Sequence, residues 1–218
     1  MRIMEMFMLA AVNTENGKLY NYGSYLNYGL SGIAVVELIS QGKLALEDGK
    51  LIVTDSSSTR DELLDETLQV VADRPAQRKL ASWVMLLPHK IKKQDRRVME
   101  RLEDNGILRI EHGRLLGLFP SVRYIVTNET ERDRIVNACR EILLKGERAP
   151  AHDMMLVISM AAATNCIDKF FTKEERRSIK DSVKQVKKGT YFEAGSTGMS
   201  EVVSAIQKAI TAAQVAAT

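Results

Sequence analysis

Three histidines, two cysteines and a few paired carboxylates are the residues from which this chain would have to build chemistry. His89, His112 and His152 fall at expected turns or loop edges, each without a companion at metal-ligand spacing. Cys139 and Cys166 stand alone, with no CxxC and no neighbouring His, the pattern of buried packing thiols in a reducing compartment. No Walker-type phosphate loop, GxSxG elbow or dinucleotide fingerprint occurs. Asp61, Asp65 and Glu66 pair carboxylates across a helical turn, but acids in a first turn favour the helix dipole and need no other explanation. No catalytic residue, metal ligand or cofactor is expected, and the chain reads as a non-enzyme.

Anion recognition is the chemistry that remains. Lys90, Lys92, Lys93, Arg96 and Arg97 lie within eight residues, with Asp95 alone opposing them. A charge run is usually a solvated helix start. Cations at the positive end of a helix are disfavoured by its dipole, however, and a docked anion such as a phosphate would offset that cost. Downstream, residues 107–111 and 114–119 read as two arms of a hairpin turning at His112–Gly113. The second arm, with Leu115, Leu116, Leu118 and Phe119, is more apolar than a solvated hairpin requires. It either packs on the body of the domain or marks a membrane or protein contact.

The elements that must position these groups are mostly helices. The helix around residues 27–40 is apolar almost all round (Leu26, Leu30, Ile33, Ala34, Leu38), which predicts a central, buried element. Gly29 and Gly32 inside it point to close approach by another helix or to a frayed first turn. Gly42 supplies a helix end, and residues 44–47 and 50–53 form a hairpin across Asp48–Gly49. Residues 7–12 form a short buried element. Tyr20, Tyr22, Tyr25 and Tyr28 either pack the lip of the core or wall a ligand. Thr59 and Glu62 form a capping box that opens a helix to about Ala72, with Pro75 breaking it. A short apolar helix containing Trp83 ends at Pro88. Further helices are expected over 95–105, 130–145, 154–167, 172–188 (opened by a Thr172–Glu175 capping box) and 201–217, with 189–198 the most flexible stretch.

With 45% apolar and 27% charged residues, the 218-residue chain has an ordinary globular composition, and no linker divides it, so 1–218 is expected to be one domain. The longest apolar run, 154–163, is far short of a bilayer span. Glu5 interrupts the apolar start, which reads as the first buried segment rather than a signal peptide. The expected location is cytoplasmic. A net charge of +3 is too small to imply nucleic acid, so no nucleic-acid partner is expected, although residues 96–124 mimic the helix and wing of a winged helix-turn-helix.

The order of these blocks resembles the Golgi phosphoprotein-3 domain family. The resemblance rests on Gly29-Leu30-Ser31-Gly32, Glu37-Leu38 and residues 42–46, then on 61–68, Trp83, 101–108 and the hairpin at 114–119. It implies a mostly α fold: a single helical domain around a central buried helix, with short β-hairpins. It further implies a non-catalytic peripheral membrane protein. Eukaryotic members bind phosphatidylinositol-4-phosphate in a basic pocket and dip an apolar hairpin into the bilayer. The family's headgroup Trp falls on Tyr22, the Arg of its Gly-Leu-Arg-Gly on Ser31, and two pocket arginines on Lys92 and Asp95, with Lys93 or Arg96 as compensating cations. The implied headgroup set is thus Tyr22, Ser31, Lys92, Lys93 and Arg96, and the implied partner an anionic phospholipid surface. A protein client, or a second copy of the chain at the hairpin, is the alternative.

Overall fold

A computed structural model of the chain describes residues 1–21, 23–74, 78–115, 118–192 and 199–216. The sequence IMEMFMLA forms helix α1 (Ile3–Ala10), and all eight residues are buried, so the first buried element begins earlier than residue 7. A small hairpin follows, β1 (Val12–Asn13) with β2 (Lys18–Leu19). The predicted central helix is α2 (Gly23–Ser40). Leu26, Leu30, Ile33, Val35, Val36 and Leu38 are fully buried, and α2 touches α1 and five later helices: α3 (Glu62–Ala72), α4 (Leu80–Lys90), α5 (Gln94–Asp104), α7 (His152–Ala163) and α10 (Met199–Ala216). Its two glycines mark close approach. A Cβ at Gly29 would lie 2.8 Å from Cζ of Phe7, and one at Gly32 would lie 2.8 Å from Cγ2 of Ile206.

Gly42 ends the helix run with φ +69°, and β3 (Leu44–Glu47) pairs with β4 (Lys50–Val53) through Asp48 and Gly49, both at positive φ as the expected tight turn requires. Helix α3 is capped two residues after the expected place. The Thr59 hydroxyl and N–H both bond to Asp65 (2.7 Å each), and Asp61 instead accepts from Leu63 and Leu64 N–H. Pro75 lies outside the described residues. Helix α4 runs through Pro88 to Lys90 rather than stopping there. Proline removes one donor within the last turn, and the ladder resumes with Ile91 N–H to Leu87 O at 2.9 Å.

The long hairpin differs most from expectation. Strands β5 (Leu108–Leu115) and β6 (Phe119–Val126) pair from Leu108↔Val126 to Leu115↔Phe119. His112 and Gly113 sit mid-strand, opposite Val122 and Ser121, and the chain reverses between Leu115 and Phe119. The base explains this: Leu108 is buried, and Ile110, Tyr124 and Val126 pack on the core, so the buried face pins the register and the register sets the turn.

Helix α6 (Glu129–Lys145) is capped by Asn128 and closed by Gly146 at φ +76°. Helix α7, buried throughout 156–163, stops short of Ile167. The Thr164 hydroxyl turns back to Met160 O, Asn165 takes φ +59°, and a 3-10 turn (Ile167–Phe170) follows. The Thr172–Glu175 capping box opens α8 (Lys173–Ser178), but the expected single helix breaks at buried Ile179 into α9 (Lys180–Lys187). Most of the stretch expected to be flexible, 193–198, lies outside the described residues. Helix α10 packs on α4, α2 and α7, and one hydrophobic cluster runs from Ile3 to Ile210. The fold is mostly helical with three two-stranded hairpins among the described residues. Among them, no helix is long and apolar enough to cross a membrane.

Candidate anion-binding and membrane-facing site

The basic stretch lies at the corner between α4 and α5. Two of its side chains point inward: Ile91 is 1% exposed and Gln94 is 2% exposed. Lys93 adopts the left-handed region at φ +55°, an uncommon conformation for a residue with a Cβ that costs roughly 1 kcal/mol. The corner is held from beneath by α2. Gln94 exchanges hydrogen bonds with Ser31 (3.1 and 3.3 Å), and Asn27 Oδ1 accepts the Asp95 N–H at 3.0 Å, capping α5 from another helix. With those anchors turned in, Lys90, Lys92, Lys93 and Arg96 face solvent.

Ser31 therefore sits elsewhere than a headgroup site needs. It is fully buried, and its hydroxyl is used up on Gln94, so it positions the corner instead of meeting solvent. Tyr22 lies outside the described residues. Of the other tyrosines, Tyr20 and Tyr28 are half-buried and pack on the core, with Tyr28 edge-on to His89 at 6.5 Å between ring centres. Tyr25 is half-buried at the start of α2.

The cations divide by partner. Arg97 reaches Glu62 at 3.0 Å and Glu66 at 2.5 Å, while Arg101 holds Asp61 with two bonds of 2.9 and 3.1 Å. Burial alone would weaken the Arg97 proton, but Glu66 and Glu62 outweigh it and raise its pKa. Burial likewise works against the Asp61 carboxylate, yet Arg101, the Leu64 N–H and Arg2 hold its carboxyl below the usual range. These pairs clamp α5 to α3, so Arg97 and Arg101 are structural. Arg96 pairs with Glu100 on the surface at 2.7 Å. Lys90, Lys92 and Lys93 have no carboxylate partner among the described residues.

The long hairpin is fixed at its base. Glu103 accepts the Ile110 N–H at 2.7 Å, and the Tyr124 N–H donates to Gly17 O at 2.7 Å. At the tip, Leu118 is 77% exposed and Phe119 is 62% exposed. Leu116 and the side chain of Leu115 lie outside the described residues. Of the two readings of this arm, packing on the body does not hold for Leu118 or Phe119. Tyr124, whose charged neighbours are Asp95, Arg96 and Glu100, has its phenol pKa raised by burial.

Two further features concern chemistry. Cys139 and Cys166 are buried free thiols, and burial pushes Cys139 up to about 12. Glu37, on the central helix, is pushed up to about 7, first by burial and then by Asp61 and Asp153, with Arg2 opposing. A lone acid in an otherwise apolar helix was the sequence signal for that perturbation. Asn27 and Gln94, by contrast, had no signal, because their role depends on two helices meeting.

The family model described as Golgi phosphoprotein 3 (GPP34) matches residues 3–213, nearly the whole chain.

Proposed function

The chain belongs to the Golgi phosphoprotein 3 family, and on that premise we propose that it is a non-catalytic peripheral membrane protein that binds an anionic lipid headgroup. The observation that carries this reading is the pair Leu118 and Phe119, large apolar side chains left exposed at the end of a hairpin whose base is fixed. Lys90, Lys92 and Lys93, solvent-facing and without a carboxylate partner among the described residues, supply the anion-binding half, with Arg96 beside them. Each such cation near an anionic bilayer contributes about 1 kcal/mol. The family resemblance implies phosphatidylinositol-4-phosphate as the headgroup. The lysines favour a less selective anion site, since an ammonium does not reproduce the two-pronged grip of a guanidinium, and Ser31 is not available to it. The paired Arg97 and Arg101 leave α5 poorly equipped as a nucleic-acid recognition helix.

The test is co-sedimentation with vesicles containing phosphatidylglycerol or phosphatidylinositol-4-phosphate, using the wild type and the double variant Lys92→Glu, Arg96→Glu. Loss of binding in the variant supports the reading, and undiminished binding removes these residues from it. A preference for phosphatidylinositol-4-phosphate over phosphatidylglycerol at equal charge would assign the headgroup.

A further inference from the structure

The turn between β1 and β2 is docked onto β6, and beside that contact lies a cleft of about 610 Å3. The docking is tight. Gly17 has φ +70°, and a Cβ there would stand 3.2 Å from Cβ of Arg123 and 3.3 Å from the Tyr124 carbonyl oxygen. Gly17 O accepts the Tyr124 N–H, and Asn16 O accepts from Arg123 Nε at 3.2 Å. On the far side, Asn21 donates to the carbonyl of Thr164 ahead of the 3-10 turn, which brings Lys169 to the same cleft.

The lining is rich in donors and, among the described residues, contains no carboxylate. Lys18 and Lys169 are exposed and make no ion pair among the described residues. Asn13 Oδ1 accepts the Glu15 N–H and Asn16 Oδ1 accepts the Lys18 N–H, both at 2.9 Å. With their oxygens committed, both amides keep their NH2 groups free to donate. The Ser121 hydroxyl has no protein partner among the described residues. Two cations, two amide donors and a free hydroxyl suit a ligand that is anionic and dense in acceptors.

We propose that this cleft is a second anion site, distinct from the α4–α5 corner, that takes a phosphate ester carrying free hydroxyls, of the phosphorylated-polyol class. The lysines meet the phosphate, and the amides and the Ser121 hydroxyl meet the polyol. Pro120, which follows directly on Phe119, and Val122 form part of the wall. On the membrane reading of the hairpin, which this last point alone rests on, a lipid headgroup held here would have its acyl chains beside Phe119.

Backbone amide chemical shifts, followed as glycerol 3-phosphate is added, test the site, with glycerol as the control. In the wild type the expected response centres on residues 16–18 and 121–124, and glycerol alone gives none. The double variant Lys18→Gln, Lys169→Gln is expected to bind at least about tenfold more weakly, the loss of two charge-assisted contacts. Both side chains are exposed, so its melting temperature should match the wild type. The variant Lys92→Gln, Arg96→Gln should retain the glycerol 3-phosphate response at residues 16–18 and 121–124. No response in the wild type, an unchanged affinity in the Lys18, Lys169 variant, or equal loss in both variants overturns the proposal. Phosphatidylglycerol vesicles separate the sources: weaker vesicle binding by the Lys18, Lys169 variant assigns a lipid headgroup, and unchanged vesicle binding assigns a free phosphate ester. Failure of all vesicle binding would sink the membrane reading while leaving the glycerol 3-phosphate result to stand by itself.

Discussion

Replacing Leu118 and Phe119 by serine removes the apolar tip without touching the core. Full burial of a Leu or Phe side chain is worth roughly 1.5–3 kcal/mol. Scaled by their exposures of 77% and 62%, bilayer insertion of the two would contribute roughly 1.5 kcal/mol each, or about 3 kcal/mol together. The double variant Leu118→Ser, Phe119→Ser should therefore bind phosphatidylglycerol vesicles about 100-fold more weakly. The salt response separates this from charge. The three lysines contribute about 1 kcal/mol each at low salt, and that share fades as the screening length falls from ~10 Å at 0.1 M to ~3 Å at 1 M. The tip variant should keep a steep salt dependence at reduced affinity, whereas Lys90→Gln, Lys92→Gln, Lys93→Gln should keep a salt-insensitive remnant. Vesicle co-sedimentation at two salt concentrations measures both. A tip variant within threefold of wild type, or one with a clearly lowered melting temperature, would refute the reasoning, the latter because it would mean that the two side chains pack on the body.

Three more perturbations test the scaffold. Gly32→Ala places a Cβ 2.8 Å from Ile206 and 3.0 Å from Met160 Sδ, so overpacking at the α2–α10 contact should cost about 1–3 kcal/mol in denaturant unfolding; an unchanged midpoint would contradict that packing. Asp61→Ala removes the α3 cap and the shared partner of Arg2 and Arg101, and should cost roughly 2–4 kcal/mol, discounted for the partial exposure of both arginines. A loss below about 0.5 kcal/mol, the range of an ordinary surface change, would mean that the clamp is ornamental. Glu37 titrates at about 7 in the folded chain against 4.5 for its ordinary value, so between these pH values the folded state holds the extra proton. Stability should fall as pH rises through that window and level off above it. Glu37→Gln removes the slope: its unfolding free energy should match wild type near pH 4.5 and exceed it above pH 7, by about 1–2 kcal/mol after allowing for partial exposure. A constant gap across pH would count against it.

The central helix and the β3–β4 hairpin were legible in the sequence because their signals are local: an apolar run with two glycines, and Asp48–Gly49 between short strands. Misread positions share a different cause, in that a distant partner decided the outcome. Thr59 has the right spacing for a cap, but Asp65 takes its hydroxyl and leaves the role to Asp61. His112–Gly113 has turn residues, yet the buried base of the hairpin sets a register that carries the chain past them. Arg97 belongs to a basic run but is claimed by acids on α3. Ser31 stands at a position the family resemblance assigns to a pocket, and the meeting of α2 with α5 buries it against Gln94. The cleft of Lys18, Ser121 and Lys169 leaves no mark on the sequence, because three separate segments assemble it.

Binding of the wild-type chain to phosphatidylglycerol vesicles, compared with neutral phosphatidylcholine vesicles at low and high salt, tests the membrane reading most directly. The account predicts binding to the anionic vesicles that weakens as salt rises, with little binding to neutral ones. Equal binding to both, or none to either, would contradict it.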